Sequence, residues 1–298
     1  MTRFQRIGVV GGGQMGAGIA EVCARAGVEV LVCEKSDAAA DAAQDRIEQS
    51  LDRAVRRGKL TRESYARAVK RLDYTAEPKD LADRELVVEA VPEDVVAKTE
   101  VLRDLDEVLP PSVVLATNTS SIPVITLGMA TQRAERVVGL HFFNPVPVMP
   151  LVEVVSSLRT SPETVESVTA FATATLGKQV IRSKDRAGFV VNTLLVPYLL
   201  SAIRMLESGH ATASDIDAGM RLGCAHPMGP LELADLIGLD TTKLIAESLY
   251  AEFKEPLYAP PALLRRMVDA RRLGRKSGHG FYTYDAAGAV PAVAAATW

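Results

Sequence analysis

His141 and Glu153 are the pair of residues whose types and spacing best suit chemistry. His141 lies in one hydrophobic run, Arg136–Phe143, and Glu153 lies in another, Leu151–Val155. Both runs predict short strands, and the proline-rich segment between them predicts a loop, because proline cannot donate a ladder hydrogen bond. Neighbouring strands would bring the imidazole and the carboxylate together, which fixes the tautomer and stabilises the protonated form, as a general base requires. An isolated pair of this kind is more often structural, so a catalytic role depends on the rest of the chain.

A glycine-rich turn lies near the N-terminus, between two predicted strands. Phe4–Val10 predicts the first strand and Glu29–Cys33 the second, with a helix of small residues, Ala17–Ala26, between them. The turn reads G-x-G-x-x-G, and the second strand ends at Glu34. Strand, glycine turn, helix, strand and acid in this order form the dinucleotide-binding fingerprint. The turn residues that we assign to cofactor binding are Gly11, Gly13, Gln14, Met15 and Gly16.

The glycines of this turn have separate physical roles. Gly11 allows the tight turn, Gly13 lets the backbone approach a pyrophosphate, and Gly16 permits close packing of helix against strand. The helix N-terminus then offers N–H donors and a partial positive charge to the phosphates. Glu34 would accept hydrogen bonds from ribose hydroxyls and repel a 2′-phosphate. This favours NAD over NADP, although the neighbouring Lys35 weakens the preference.

Two predicted helices follow the second strand, where a doubly wound sheet needs no helical pair. Asp37–Gly58 predicts the first helix, and a second runs from Thr61 to Leu72. In the first helix, polar residues at spacings of four, three and four share one face: Arg46, Ser50, Arg53 and Arg57. A solvated face is the ordinary explanation. A basic face beside a cofactor site could instead hold a phosphate-bearing substrate.

Polar residues follow two further predicted strands, Leu86–Ala90 and Val113–Thr117, at their carboxyl ends. Ligands of an open parallel sheet lie outside those ends, so Glu93, Asn118 and Ser120 should lie beside the nicotinamide. Asn118 and Ser120 could instead form a turn or cap the next helix, an alternative that carries more weight for Asn118.

Strands give way to helices in the C-terminal third of the chain. We therefore expect an NAD-binding domain at 1–185, a helical domain at 186–284, and a disordered Ala-rich tail at 285–298. The expected fold class is α/β, with a Rossmann-type doubly wound sheet that contains an inserted helical hairpin, followed by an all-α C-terminal domain.

Helical patterns recur in the C-terminal domain. Phe189–Leu206 is apolar almost all round, which predicts a buried helix, and Pro230–Phe253 predicts another. Asn192 lies near the start of the apolar helix. Because an unpaired buried amide is costly, it should have a partner, either structural or the substrate.

Composition argues against several other classes of function. A net charge of −3 gives no general case for nucleic-acid or membrane binding. The four histidines form no cluster with cysteines, so we expect no metal site. The three cysteines lack a CxxC spacing and indicate reduced thiols in a cytoplasmic protein. The first strand begins so early that we expect no signal peptide.

Six motifs occur in order along nearly the whole chain: the glycine turn, NTSS at Asn118, HFFNP at His141, GFVVN at Gly188, HPMGP at His226 and GHGFY at Gly278. Together they resemble the short-chain L-3-hydroxyacyl-CoA dehydrogenase family, and within it the bacterial enzymes that act on 3-hydroxybutyryl-CoA. The resemblance implies that His141 is the catalytic base and Glu153 its orienting partner, with Ser120 and Asn192 at the reacting oxygen.

The resemblance also assigns binding roles. It implies that Glu93, Lys98, Asn144 and Lys276 help to hold NAD, and that Ser50, Arg57 and Ser120 face CoA. Relatives often carry lysine where this chain has Arg57, so the charge is kept while the contact geometry changes. A homodimer through the C-terminal helical domain and a cleft that closes on substrate are further implications.

The implied reaction is the NAD-dependent interconversion of (S)-3-hydroxybutyryl-CoA, or 3-hydroxyacyl-CoA more generally, with acetoacetyl-CoA or the 3-oxoacyl-CoA, a reaction of fatty acid metabolism. Two alternatives remain. A related two-domain dehydrogenase of a free hydroxy acid would not need the basic helical insertion. A catalytically silent nucleotide-binding relative would have no use for His141, Glu153, Ser120 and Asn192 together.

Overall fold

The structure is a computed structural model that describes residues 4–285. The chain divides into two compact units, the first ending at Phe189 and the second beginning at Val190. Apart from its first residue, the tail predicted at 285–298 lies outside the described residues.

The first unit is built on an eight-stranded sheet in the order β3-β2-β1-β4-β5-β6-β7-β8. Strands β1 to β6 pair in parallel, β7 is antiparallel to β6, and β8 is parallel to β7. This confirms the predicted Rossmann-type sheet. The strands are β1 Arg6–Val10, β2 Glu29–Cys33, β3 Leu72–Thr75, β4 Leu86–Glu89, β5 Val114–Thr117, β6 Val137–Phe142, β7 Leu151–Ser156 and β8 Gln179–Lys184.

Helices cover both faces of this sheet. Most of them begin at a Ser, Thr or Asp whose side chain accepts a hydrogen bond from the first turn, which satisfies an otherwise unpaired amide. These caps are Ser36, Thr61, Asp94 and Ser161. The helices are α1 Gln14–Arg25, α2 Asp37–Arg56, α3 Arg62–Val69, α4 Val95–Val108, α5 Val124–Gly128 and α6 Pro162–Ala170, which continues as a π-helix over Phe171–Thr175.

Two hydrophobic clusters of the described residues lie on opposite faces of the sheet. Val88 belongs to one cluster and Val87 to the other, because successive strand residues point to opposite faces. Every residue of β4, β5 and β6 is buried. The sheet is covered on both sides, which explains why these strands read as continuous apolar runs instead of alternating ones.

The inserted hairpin is present, but its second helix is shorter than predicted. We expected that helix to run to Leu72, yet α3 ends at Val69 and Leu72 begins strand β3. Leu72 is buried and pairs with Val30 of β2. Pairing with β2 and burial of Leu72 therefore place this residue in a strand, although the sequence pattern favours a helix there.

The second unit is helical, as predicted. One expected helix, Pro230–Phe253, is in fact two, because Gly238 adopts φ +104° between them and ends the first helix. The helices are α7 Val191–Glu207, α8 Ala213–Gly223, α9 Pro230–Ile237, α10 Leu239–Phe253 and α11 Ala262–Asp269. Among the described residues, no helix combines the length and the apolar character that a membrane crossing requires.

A completely buried carboxylate, Asp235 of α9, organises the end of the second unit. Its oxygens accept hydrogen bonds from the amides of Phe281 and Tyr282 and from the Tyr284 hydroxyl. Burial raises the pKa of Asp235 to about 6 even though these donors favour the charged form.

We expect this carboxyl to make stability pH-dependent. A raised folded pKa means that its contribution is fully present below the ordinary value of 3.8 and is lost as pH rises through about 6. Asp235→Asn removes the titration. The unfolding free energy of the wild type relative to this variant should therefore fall by up to about 3 kcal/mol between roughly pH 4 and pH 6. Denaturant unfolding of both proteins across this range measures the difference, and a difference independent of pH would contradict the assignment.

Candidate active site

His141 and Glu153 face each other across the antiparallel pair β6 and β7, where they are direct register partners. The His141 Nδ1 atom lies 2.7 Å from Glu153 Oε2. Both side chains are buried, with exposures of 4% and 0%. The prediction that neighbouring strands bring these two groups together is confirmed, while their catalytic role remains a prediction.

The second nitrogen of the imidazole contacts Ser120. Ser120 Oγ lies 3.1 Å from His141 Nε2. A carboxylate can only accept hydrogen bonds, so Nδ1 carries the proton toward Glu153 and Nε2 is left as an acceptor. Phe143 and Phe189 pack beside the ring, with centroid distances of 4.6 and 5.5 Å. The imidazole thus contacts the serine at one nitrogen and the carboxylate at the other, with two phenylalanine rings beside it. In this arrangement Nε2 can accept a proton.

The glycine turn connects β1 to α1 and has the shape that a dinucleotide needs. Gly11 adopts φ +92°, in the region that favours glycine. A Cβ on Gly16 would lie 1.7 Å from the Gly11 carbonyl oxygen, so this position has no room for a side chain. A Cβ on Gly13, by contrast, would have no described heavy atom within 4 Å apart from those of its chain neighbours. The open space at Gly13 and the tight contact at Gly16 fit a bound pyrophosphate.

Glu34 and Arg46 hold the two peptide groups on either side of Gly12 in this turn. Glu34 Oε1 accepts a hydrogen bond from the Gly12 amide at 2.6 Å, and Arg46 Nη1 donates to the Gly12 carbonyl at 2.6 Å. Sequence spacing groups Arg46 with the basic helix face and does not assign it to the turn. Its guanidinium nevertheless supports the glycine turn directly, a contact that spacing alone does not reveal.

The other predicted turn residues differ in their surroundings. Gln14 Nε2 donates to Asn144 Oδ1 at 3.1 Å, so the glycine turn meets the loop that follows the His141 strand. Met15 is partly buried and packs against the core. Two of the predicted cofactor residues from distant parts of the sequence are therefore brought together.

Glu93 binds the segment that follows β5. Its Oε1 atom accepts hydrogen bonds from the Thr119 hydroxyl at 2.7 Å, the Ser120 amide at 2.8 Å, and the Ser121 amide and hydroxyl, both at 2.9 Å. Asn118 uses its side-chain oxygen to accept the Phe142 amide at 2.9 Å. Glu93 thus fixes the segment after β5, and Asn118 joins the end of β5 to β6 next to His141. Cofactor contact by either side chain remains a prediction.

Lys98 lies beneath these loops. Its side chain is 0% exposed, and its ammonium donates to Glu89 Oε1 at 2.7 Å and to the Val91 carbonyl at 3.1 Å. The ammonium is also 3.6 Å from Glu93 Oε2. The contacts of the Lys98 ammonium are therefore with Glu89, Val91 and Glu93 at the ends of the strands. Direct contact of Lys98 with NAD remains a prediction.

The remaining predicted residues lie farther along the chain. Ser50 is half-buried on α2, and Arg57 is exposed at its C-terminal end. Asn192 lies in the first turn of α7 in the second unit. Lys276, in the same unit, pairs with Asp240 at 2.6 Å. Their binding roles remain predictions.

Several residues at this edge were not predicted from the sequence. Glu89 and Thr117 end neighbouring strands, and the Thr117 hydroxyl donates to Glu89 Oε2 at 2.6 Å. Lys178 donates to the carbonyls of Val146 and Met149, each at 2.7 Å, and so holds the loop between β6 and β7. A signal existed for Glu89, because an acid inside an otherwise apolar buried strand requires a partner. Within residues 4–285, no group of three or more His, Cys, Asp or Glu side chains is placed to hold a metal ion.

Comparison with known proteins accounts for both units. One family model, described as the NAD binding domain of 3-hydroxyacyl-CoA dehydrogenase, matches residues 6–186. A second model, described as the C-terminal domain of 3-hydroxyacyl-CoA dehydrogenase, matches residues 188–284. The chain is 58% identical over 282 residues to a 3-hydroxybutyryl-CoA dehydrogenase of Mycobacterium tuberculosis, covering 94% of this chain and 99% of the relative.

Solved structures are similar as well. The crystal structure of M. tuberculosis FadB2 has a TM-score of 0.94 at 57% identity, covering 95% of this chain and 100% of the other. The structure of (S)-3-hydroxybutyryl-CoA dehydrogenase PaaH1 from Ralstonia eutropha has a TM-score of 0.90 at 44% identity, covering 95% and 99% respectively.

Substitutions in the glycine turn should separate folding from cofactor binding. Gly16→Ala places a methyl group against the Gly11 carbonyl, and we expect about 1–3 kcal/mol of destabilisation together with weakened NADH binding. Gly13→Ala should unfold like the wild type, yet its NADH dissociation constant should rise at least roughly 10-fold, since the methyl group occupies the space of the pyrophosphate. Thermal unfolding and fluorescence titration with NADH measure the two effects.

Gly219→Ala serves as the matched control. This glycine lies inside α8 of the second unit, and no described heavy atom beyond its own neighbourhood lies within 4 Å of a Cβ there. The alanine should stabilise the helix slightly and leave NADH binding unchanged. If Gly13→Ala also bound NADH like the wild type, the assignment of the turn to the pyrophosphate would be wrong.

Proposed function

We propose that this chain, which belongs to the 3-hydroxyacyl-CoA dehydrogenase family, interconverts (S)-3-hydroxybutyryl-CoA and acetoacetyl-CoA with NAD as its cofactor. It is an oxidoreductase of the 3-hydroxyacyl-CoA dehydrogenase type. The observation that supports the mechanism most directly is the buried His141–Glu153 contact, with Ser120 at the other imidazole nitrogen.

His141 acts as the general base in oxidation. Its Nε2 atom accepts the proton of the 3-hydroxyl group, and the imidazolium that results is stabilised by the adjacent Glu153 carboxylate at Nδ1. In the reverse direction the imidazolium returns this proton to the oxygen at C3. The Ser120 hydroxyl, which contacts Nε2, is placed to donate a hydrogen bond to the same oxygen as negative charge develops on it. Asn192 is proposed for a similar role.

Bound NAD would supply the hydride acceptor for oxidation at C3 and the hydride donor for the reverse reaction. Residues of this chain bind the cofactor. The amides of the glycine turn at the start of α1 bind the pyrophosphate, and Glu34 accepts hydrogen bonds from the ribose hydroxyls. The residues proposed to complete the site are Gln14, Met15, Glu93, Lys98, Asn118, Asn144 and Lys276.

We also propose the wider organisation of the protein. The domain at 1–185 binds NAD, and the helical domain at 186–284 binds substrate and forms a homodimer. Ser50 and Arg57 on the inserted hairpin contact CoA. The cytoplasm is the proposed location, and acyl-CoA the small-molecule partner.

Replacing the base tests the reaction and its mechanism together. The wild type should consume NADH with acetoacetyl-CoA, followed by absorbance at 340 nm, the NADH band. His141→Gln should lower kcat by about two to four powers of ten, because no group is left to exchange the proton, while NADH binding stays nearly unchanged. His210→Gln, an exposed position after α7, is the control and should keep wild-type kcat. Retention of most turnover by His141→Gln would exclude the role proposed for His141.

The CoA contact can be tested on the inserted hairpin. Arg57→Ala should raise the KM for acetoacetyl-CoA by roughly 10-fold, the loss expected for a charge-assisted contact to phosphate, and leave the KM for NADH unchanged. Arg56→Ala is the matched control, because the neighbouring Arg56 is exposed and pairs with Asp52 on the same helix. Equal KM values for acetoacetyl-CoA in the two variants would remove Arg57 from the substrate site.

A further inference from the structure

A buried ion pair, Glu89 with Lys98, lies at the carboxyl ends of strands β4 and β5. Both side chains are 0% exposed, and Lys98 Nζ is 2.7 Å from Glu89 Oε1. Charges are rarely removed from water so completely unless each is paired and hydrogen-bonded. Here every polar atom of the pair has a partner within the same edge of the sheet.

The Glu89 carboxylate joins three segments. Its Oε1 atom also accepts a hydrogen bond from the Val91 amide at 2.7 Å, which fixes the start of the loop after β4. Its Oε2 atom accepts the Thr117 hydroxyl at 2.6 Å. Thr117 ends β5, directly before the segment that contains Ser120. Glu89 thus links helix α4, the loop after β4 and the end of β5.

Lys98 extends these contacts to Glu93. Its ammonium donates to the Val91 carbonyl at 3.1 Å and lies 3.6 Å from Glu93 Oε2. The opposite oxygen of Glu93 holds the backbone of Ser120 at 2.8 Å. A continuous series of contacts therefore leads from the buried pair to the serine whose hydroxyl meets His141 Nε2.

We propose that Glu89 and Lys98 are positioning residues for the reaction, which set the orientation of Glu93 and so hold the Ser120 hydroxyl at His141. This inference rests on the proposed function. Neither residue needs to touch substrate for the role, since each acts through Glu93 and the end of β5. Glu89 is the more specific assignment, because its two oxygens hold both neighbouring segments.

Stability alone does not account for the pair. Buried ion pairs can often be replaced by apolar residues of similar volume without loss of stability. A directional network is needed where two side chains must meet within hydrogen-bond distance, because a misplacement on the order of 1 Å can cost about 10²-fold in rate. The pair lies where such precision is required, between the loops that carry Glu93 and Ser120.

The test neutralises Glu89 and Lys98 together, so that neither of these two fully buried groups is left charged alone. Glu93, which is partly exposed, loses the nearby ammonium but keeps its donors from the Ser120 segment. In the Glu89→Gln/Lys98→Met double variant, kcat for acetoacetyl-CoA should fall on the order of 10- to 100-fold. The 15N chemical shift of His141 Nε2 in protein without cofactor should also move, because that shift reports the hydrogen bond from Ser120. Because Lys98 is also proposed to contact NAD, the shift measured without cofactor, and not kcat alone, separates positioning from cofactor binding. A purely structural role would lower the melting temperature but leave the kcat of the folded protein and this shift unchanged.

The matched control is a second buried ion pair in the same unit. Arg133 Nε lies 2.6 Å from Asp106 Oδ1, with side-chain exposures of 7% and 10%. Its hydrogen bonds go to the C-terminal end of α4 and to Pro110, on segments that do not contact His141. Arg133→Met/Asp106→Asn should lower the melting temperature while keeping the kcat and the His141 shift of the wild type.

A more conservative variant tests the proposal if the double variant does not fold. Thr117→Val removes one hydroxyl from Glu89 Oε2 and leaves both charges in place. We expect a several-fold lower kcat, an unchanged KM for NADH and a smaller movement of the His141 shift. Wild-type kcat and shift in every folded variant would overturn the proposal. An inactive wild type would refute the proposed function instead, while the shift measurement would still report on positioning.

Discussion

The contact between His141 and Glu153 depends on the register of two antiparallel strands. Residues directly opposite each other in such a pair have neighbouring side chains on the same face, so the pairing itself brings the ring and the acid together. A slip of one residue would turn Glu153 to the other face. The observed register also requires glycine at position 139, because a Cβ there would lie 2.7 Å from Val155 of the partner strand. The packing of an ordinary strand pair therefore fixes the geometry of the proposed base.

The parallel part of the sheet supplies the other half of the site. Strands β1, β4, β5 and β6 run in one direction, so the segments that follow them emerge at the same edge. These segments carry the glycine turn, Glu93 and Ser120, and His141 lies near the end of β6. Distant parts of the sequence meet there because of strand order, and the Gln14–Asn144 hydrogen bond is a direct example.

How much the sequence could predict depends on how local each feature is. The glycine turn and the His141–Glu153 contact follow from short patterns, so both were predicted, with the correct strands on each side. Strand β3 was not, because its four residues are stabilised by pairing with β2 and not by a pattern of their own. The break at Gly238 escaped detection for a related reason: a glycine inside an apolar helical pattern does not reveal its φ angle. The partners of Glu89 and Arg46 lie on other elements, and side-chain direction across elements cannot be read from spacing.

Carboxylates connect the elements at this edge. Glu34, Glu89, Glu93 and Glu153 each bind donors from a segment other than their own. Hydrophobic contact is non-directional, so the two core clusters can bring the strand ends to the same place but cannot orient a hydroxyl toward one nitrogen of an imidazole. Hydrogen bonds to a carboxylate are directional and become stronger away from water. Glu89 and Glu153 are fully buried, and Glu34 and Glu93 are partly buried. These four acids therefore allow a core made largely of Val, Leu and Ile to hold polar groups at defined distances.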